Sequence, residues 1–189
     1  MSGCNGGGQY NCFAVVGYLP QPLAGFIDRL RRDLEPGCPA RAHVTLLPPR
    51  TLTCSPAAAW EQLRENLKDQ HAFRVELKHV QIFEHTEVIY LSIGSGHREL
   101  ERVHRKLDYG LCRFDEVWGY CPHITLARPA ENNGLPARFE LASQRWSEFN
   151  QRRDFLLEEV TFVQNTWGDH WIDLEHYRLA PELVAERVE

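Results

Sequence analysis

The residues of this chain best suited to chemistry are two histidines and two threonines in matching tetrapeptides. His43-Val44-Thr45-Leu46 and His123-Ile124-Thr125-Leu126 repeat the pattern His-x-Thr-Leu about eighty residues apart. Each copy lies in a short apolar run that alternates with a period of two, the pattern of a strand. Residues i and i+2 of a strand share a face, so each histidine is aligned with its own threonine. Paired imidazoles suit acid–base catalysis at phosphorus. A neutral ring takes a proton from an attacking water or hydroxyl, and a charged ring gives one to the leaving oxygen. A threonine hydroxyl facing the same way can donate to a non-bridging phosphate oxygen. One such motif is unremarkable in a strand, where threonine is favoured for its β-propensity. Two, one in each half of the chain, are not.

Other residues stand close to this set in sequence. Arg128 follows the second motif and Arg50 the first, and both are candidates for steering a phosphate. Strict alternation turns Arg128 to the face opposite His123. Tyr18, Trp118 and Trp167 are placed near strand ends, where an aromatic ring can stack on a base. His71, His79, His85, His97, His104, His170 and His176 show no ligand-like spacing, so no metal site is expected. The six cysteines include no C-x-x-C pair, and reduced thiols are expected.

The elements that must position these residues follow from periodicity and punctuation. Asn11 to Leu19 reads as a central strand closed by Pro20. Leu23, Phe26, Ile27, Leu30 and Leu34 make one stripe of a helix from Pro22 to Leu34, with Arg29, Arg31 and Arg32 on its solvated face. The first motif strand, Ala42 to Leu47, is expected to halt at Pro48-Pro49. A helix from Pro56 to Gln70 takes Ser55 as N-cap and buries Trp60, Leu63 and Leu67. Phe73 to Phe83, irregular near His79-Val80, and Val88 to Ile93 form a hairpin across His85-Thr86-Glu87. A helix carrying Leu100, Val103 and Leu107 leads to the second motif strand, Cys121 to Ala127. After a polar loop from Glu131 to Pro136, a helix is expected from Leu141 to Arg153. Two strands, Glu159 to Trp167 and His170 to Leu179, join at Gly168-Asp169.

Strand-helix-strand-helix-strand-strand, then helix-strand-helix-strand-strand, is a loose repeat with a motif strand in each half. It predicts an α+β fold of two pseudo-symmetric lobes, each an antiparallel sheet with helices on its outer face, and a central cleft walled by the motif strands. Residues 11–180 are read as a single bilobal domain, residues 1–10 as a flexible leader and 181–189 as a tail. Hydrophobic residues make up 43% of the chain and charged residues 25%, values ordinary for a soluble globular protein. The net charge of −5 gives no global basic field, which argues against gripping long duplex nucleic acid. The Gly-rich start lacks a signal-peptide core and no run is long enough to span a membrane, so a cytoplasmic monomer is expected.

AHVTLL and PHITLAR, each on a strand after a strand-helix unit, resemble the two-histidine (2H) phosphoesterase superfamily, and most of all its bacterial 2′-5′ RNA ligase/cyclic phosphodiesterase branch. The resemblance runs from about Cys12 to Leu179. It implies a bilobal antiparallel α+β fold and catalysis by His43, Thr45, His123 and Thr125 without metal or other cofactor. It further implies a 2′,3′-cyclic phosphate, on an RNA end or a small nucleotide, hydrolysed to a 2′-phosphate, with His123 as base and His43 as acid. LLPPR, after the first motif, departs from the longer apolar strand end and glycine of the ligase branch. Two alternatives remain open: a non-catalytic RNA- or nucleotide-binding module, and 2′-5′ RNA ligase activity by the same chemistry in reverse. Two complete motifs argue against the first, and no nucleotidyl-transfer lysine motif supports adenylate-dependent ligation.

Overall fold

A computed structural model describes residues 11–39, 41–129, 134–166 and 170–183. The leader, Trp167, the Gly168-Asp169 turn and the end of the tail lie outside the described residues. The elements run β1 (Phe13–Tyr18), α1 (Leu23–Leu34), β2 (His43–Arg50), α2 (Pro56–Leu67), β3 (Phe73–Ile82), β4 (Ile89–Ile93), α3 (His97–Leu107), β5 (His123–Ala127), α4 (Leu135–Glu148), β6 (Asp154–Leu157), β7 (Glu159–Asn165) and β8 (Trp171–Arg178). They build two four-stranded sheets, ordered β2-β1-β7-β8 and β5-β4-β3-β6, with every pairing antiparallel. The architecture is the α+β arrangement of two lobes that the sequence led us to expect.

Each sheet ends at a motif strand, and the chain reaches this symmetry by crossing over. The first sheet draws β1 and β2 from the start of the chain and β7 and β8 from its end. The helices cross too: α1 packs on β5 of the second sheet, while α3 packs on β2 of the first. Phe13 and Val15 on one face of β1 join a continuous core with Leu91, Leu126 and Leu157 of the other lobe. Ala14 and Val16 on its opposite face pack with Val163 in a small separate cluster. Gly17 permits one close approach between lobes, since a Cβ there would lie 2.3 Å from Leu157 Cδ1. Gly96, with φ +88, caps α3 where a Cβ would stand 2.4 Å from the Arg74 carbonyl oxygen.

Several boundaries differ from the sequence reading, each for a physical reason. β2 continues through Pro48-Pro49 to Arg50. It is an edge strand, so prolines on its open side cost no ladder bond. α4 begins at Leu135 because Pro136, read as loop, sits in the first helical turn, where its missing N–H is harmless. It ends at Glu148, where Arg153 folds back to donate to the carbonyls of Trp146 (2.7 Å) and Phe149 (3.0 Å). The residues that follow supply β6, a short strand the periodicity did not reveal. The irregularity near His79 is real: the register shifts between Leu77 and Val80, and Lys78 turns its carbonyl to Trp146 Nε1 at 2.6 Å. Cys12 is disulfide-bonded, which corrects the expectation of reduced thiols at that position.

Candidate active site

The two motif strands are edge strands of different sheets and are neighbours across the boundary between the lobes. Val44, Leu46, Ile124 and Leu126 are fully buried on the core side. His43, Thr45, His123 and Thr125 take the opposite faces and are partly open. Cross-strand partners share a face. In the first sheet Tyr18 pairs with His43 and Val16 with Thr45. In the second, Ser92 pairs with His123 and Tyr90 with Thr125. Neither threonine hydroxyl has a hydrogen-bond partner among the described residues, so both are open to a ligand.

The imidazoles are held in the same way. His43 Nδ1 stands 2.6 Å from the Arg41 carbonyl, and His123 Nδ1 stands 2.8 Å from the Cys121 carbonyl. A carbonyl only accepts, so in each ring Nδ1 carries the proton and Nε2 is left with its lone pair. Both rings are thereby presented as bases, and either becomes an acid on gaining a second proton. Burial pulls His43 down to about 4, helped by the nearby charges of Arg31, His123 and Arg41 and opposed by the Arg41 carbonyl. Burial also lowers His123, opposed by the Cys121 carbonyl. A charge on His123 weighs against one on His43, which puts the rings within electrostatic reach of each other.

The two walls differ in character. Beside His43, the Tyr18 ring stands edge-on at 6.4 Å between centroids, and its hydroxyl donates to Asp173 at 2.6 Å. Arg41 lies over the same ring at 3.7 Å and donates to the other Asp173 oxygen at 2.6 Å. Beside His123 the wall is aromatic: Phe83 and Tyr90 approach it edge-on at 4.9 Å and 5.5 Å. Farther out, Trp118 stacks on His85 at 5.5 Å and is 58% exposed. Of the aromatics singled out in the sequence, Tyr18 therefore stands beside His43. Arg41, Asp173, Phe83 and Tyr90 escaped the sequence reading. The i−2 spacing from His43 could have found Arg41, whereas Asp173 comes from β8 and carries no local signal.

The two arginines proposed to steer phosphate are both engaged by carboxylates. Arg50 is 1% exposed. It donates to Asp108 and Glu116 at 2.5 Å each, to the Cys112 carbonyl at 2.9 Å and to the Pro48 carbonyl at 3.0 Å. Its charge is thus spent on tying the segment before the second motif to the end of β2. Arg128 gives its backbone N–H and its guanidinium to Glu35, just past α1. Five residues of strand set it roughly 16 Å from His123. Arg31, read as solvated, is 5% exposed, and its Nε and Nη1 have no hydrogen-bond partner among the described residues.

Tyr120 and His104 brace the free edge of β2. Tyr120 donates its hydroxyl to the Thr45 carbonyl at 2.8 Å, and His104 Nδ1 bonds the Leu46 carbonyl at 2.9 Å. Their rings stack at 3.9 Å, nearly parallel. Among the described residues no group of three or more His, Cys, Asp or Glu is placed to hold a metal ion. No helix among them is long and apolar enough to cross a membrane.

A family model described as the 2′-5′ RNA ligase superfamily matches residues 19–169. No curated protein matches the chain by sequence. Among solved structures, E. coli LigT in apo form is 17% identical with a TM-score of 0.64, covering 89% of this chain and 96% of that one. E. coli LigT complexed with 3′-AMP is 18% identical with a TM-score of 0.61, covering 88% and 97%. TT0787 of Thermus thermophilus is 17% identical with a TM-score of 0.61, covering 91% and 100%. These likenesses show the fold.

Proposed function

The chain belongs to the 2′-5′ RNA ligase superfamily of two-histidine phosphoesterases, and on that premise we propose that it hydrolyses 2′,3′-cyclic phosphates to 2′-phosphates, on RNA ends or on nucleotides. The observation that carries this reading is the matched pair of imidazoles. Each is pinned at Nδ1 by the carbonyl two residues earlier, which leaves Nε2 free to exchange a proton.

One ring removes a proton from water as its oxygen attacks phosphorus. The P–O3′ bond breaks, and the other ring, as imidazolium, protonates the departing ribose oxygen. The regiochemistry comes from the family resemblance. Thr45 and Thr125 donate to the non-bridging oxygens, where charge builds up. Both histidines are lowered by burial, so the free protein near neutrality holds both rings uncharged. An anionic phosphate between them favours the charged form and draws in the proton that the acid requires.

The surroundings argue for a definite division of roles. His43 has Arg31 and Arg41 close by and feels the charge of His123. His123 is lowered by burial. Cations beside His43 disfavour a charge on it, which supports His43 as the base and His123 as the acid. This reverses the division that the family resemblance implied.

Trp118 offers an exposed ring on which a nucleobase can stack, and E. coli LigT has been solved with 3′-AMP. The test is hydrolysis of 2′,3′-cyclic mononucleotides, 2′-5′ dinucleotides and cyclic-phosphate-ended RNA in excess chelator, with products read by phosphorus NMR. Conversion of a cyclic substrate to the 2′-phosphate under these conditions is expected. Turnover only after zinc or magnesium is restored would reject the metal-independent mechanism.

A further inference from the structure

Arg41, Tyr18 and Asp173 form a built feature beside His43 that the two-histidine chemistry does not use. Asp173 spends one carboxylate oxygen on the Tyr18 hydroxyl and the other on a single Arg41 nitrogen. The guanidinium is thereby held over the Tyr18 ring, 3.7 Å from its centroid. Burial and the bond to Asp173 push the Tyr18 hydroxyl up to about 12, so it stays a donor and the bracket holds across the working range. Donors on Tyr18 and Arg41 outweigh burial and keep Asp173 ionised. Of the five N–H groups of a guanidinium, those turned to neither Asp173 nor Tyr18 find no hydrogen-bond partner among the described residues. The Arg41 side chain is 58% exposed. An ordinary exposed ion pair leaves both side chains free to wander. Here the ring and the carboxylate fix one face of the guanidinium and leave the other open.

Position gives this open fork a ligand. Arg41 lies two residues before His43, just outside β2 and across a bend at Ala42, and its carbonyl holds the His43 ring. Two residues span at most about 7 Å, comparable to one sugar-phosphate repeat. The corresponding residue before His123 is Cys121, which carries no cation, so the cleft has one charged end and one aromatic end. We propose that Arg41, held by Tyr18 and Asp173, binds a second phosphate: the 5′-phosphate of the nucleotide whose cyclic phosphate lies between His43 and His123. The inference rests on the cyclic-phosphate reading above. It makes the preferred substrate a 5′-phosphorylated nucleotide or an RNA end, in place of a bare 2′,3′-cyclic nucleoside. Asp173 offsets part of the charge, so the gain comes from directed hydrogen bonds to an anion, a factor of about ten or more.

The experiment compares cytidine 2′,3′-cyclic phosphate with its 5′-phosphorylated form at fixed ionic strength, using the full chain and Arg41→Gln. The full chain is expected to favour the 5′-phosphorylated substrate about tenfold or more in kcat/KM, chiefly through KM. In Arg41→Gln the ratio should fall to within about twofold of unity. Equal kcat/KM for both substrates in the full chain, or an equal loss on both in the variant, would overturn the subsite and leave the phosphodiesterase reading standing. Absence of turnover on either substrate would instead count against that reading. The subsite is then decided by calorimetry, comparing cytidine 2′,5′-bisphosphate with cytidine 2′-phosphate. Tighter binding of the bisphosphate that Arg41→Gln abolishes supports the proposal, and equal affinity rejects it.

Discussion

Tyr120 and Thr45 lie seventy-five residues apart and meet at one hydrogen bond, phenol oxygen to carbonyl oxygen, 2.8 Å long. Through it the segment that leads into the second motif grips the strand that carries the first. Tyr120→Phe keeps the ring stacked on His104 and removes only the donor. Leaving the Thr45 carbonyl unpaired should cost about 1–3 kcal/mol of stability. If the bond also sets the spacing of the two motif strands, kcat should fall by more than the loss of folded protein explains. Urea denaturation together with kcat at a temperature where the variant is fully folded separates these effects. An unchanged kcat would reduce Tyr120 to a stabilising role.

Arg50 tests whether burial or sequence position is the better guide to role. Its guanidinium holds Asp108 and Glu116 together. Arg50→Met strands two like charges that are themselves only partly exposed. The expected result is a loss of about 3 kcal/mol or more, seen as a large drop in Tm. KM measured on whatever protein remains folded should change little. A rise in KM without loss of stability would return Arg50 to the phosphate.

How much could be read in advance follows from what each signal measures. Alternation placed His43 and Thr45, and His123 and Thr125, opposite buried Val44 and Ile124, because that period is local to the strand. The same local logic located the helix that buries Leu23, Ile27 and Leu30. It failed where a distant partner decides. The prolines of β2 are tolerated because no strand among the described residues pairs on that edge, a fact of sheet order and not of composition. β6 is short and pairs with β3, so no repeat could mark it. Arg50 and Arg128 looked available because the carboxylates that claim them, Glu116 and Glu35, lie sixty-six and ninety-three residues away. Arg31 looked solvated because a single residue on the buried side hardly disturbs a helical stripe.

The pH dependence should lie on the acid side of ordinary histidine behaviour. Burial lowers both rings from 6.5, and His43 reaches about 4. If His43 must be neutral and His123 charged, kcat/KM rises as His43 loses its proton and falls as His123 loses its own. The maximum should therefore sit below the ordinary histidine value of 6.5, with the kcat profile displaced to higher pH because bound phosphate favours the charged rings. Arg31→Met removes a cation that disfavours charge on His43, so the acid limb should move to higher pH. It should also raise stability by about 1–4 kcal/mol, since Arg31 is buried with two nitrogens unpaired. An acid limb unmoved in a folded Arg31→Met protein would remove Arg31 from the account of His43.

The division of labour between the histidines can be read from the leaving group. His43→Ala and His123→Ala should each lower kcat by roughly 10²–10⁴. The double variant should lose far less than the product of the two, because a base without its acid is already crippled. Thr45→Ala and Thr125→Ala should cost less, about tenfold to 10³-fold, since each removes one donor to a charged oxygen. A substrate whose leaving group departs as a stable anion no longer needs a proton, so it should restore turnover to whichever variant lacks the acid. Arg31 and Arg41 beside His43 disfavour a second proton there, which supports His123 for that role. Rescue of His123→Ala alone is therefore expected. Rescue of His43→Ala alone would assign the acid to His43. Rescue of neither would mean that the rings do not divide into acid and base.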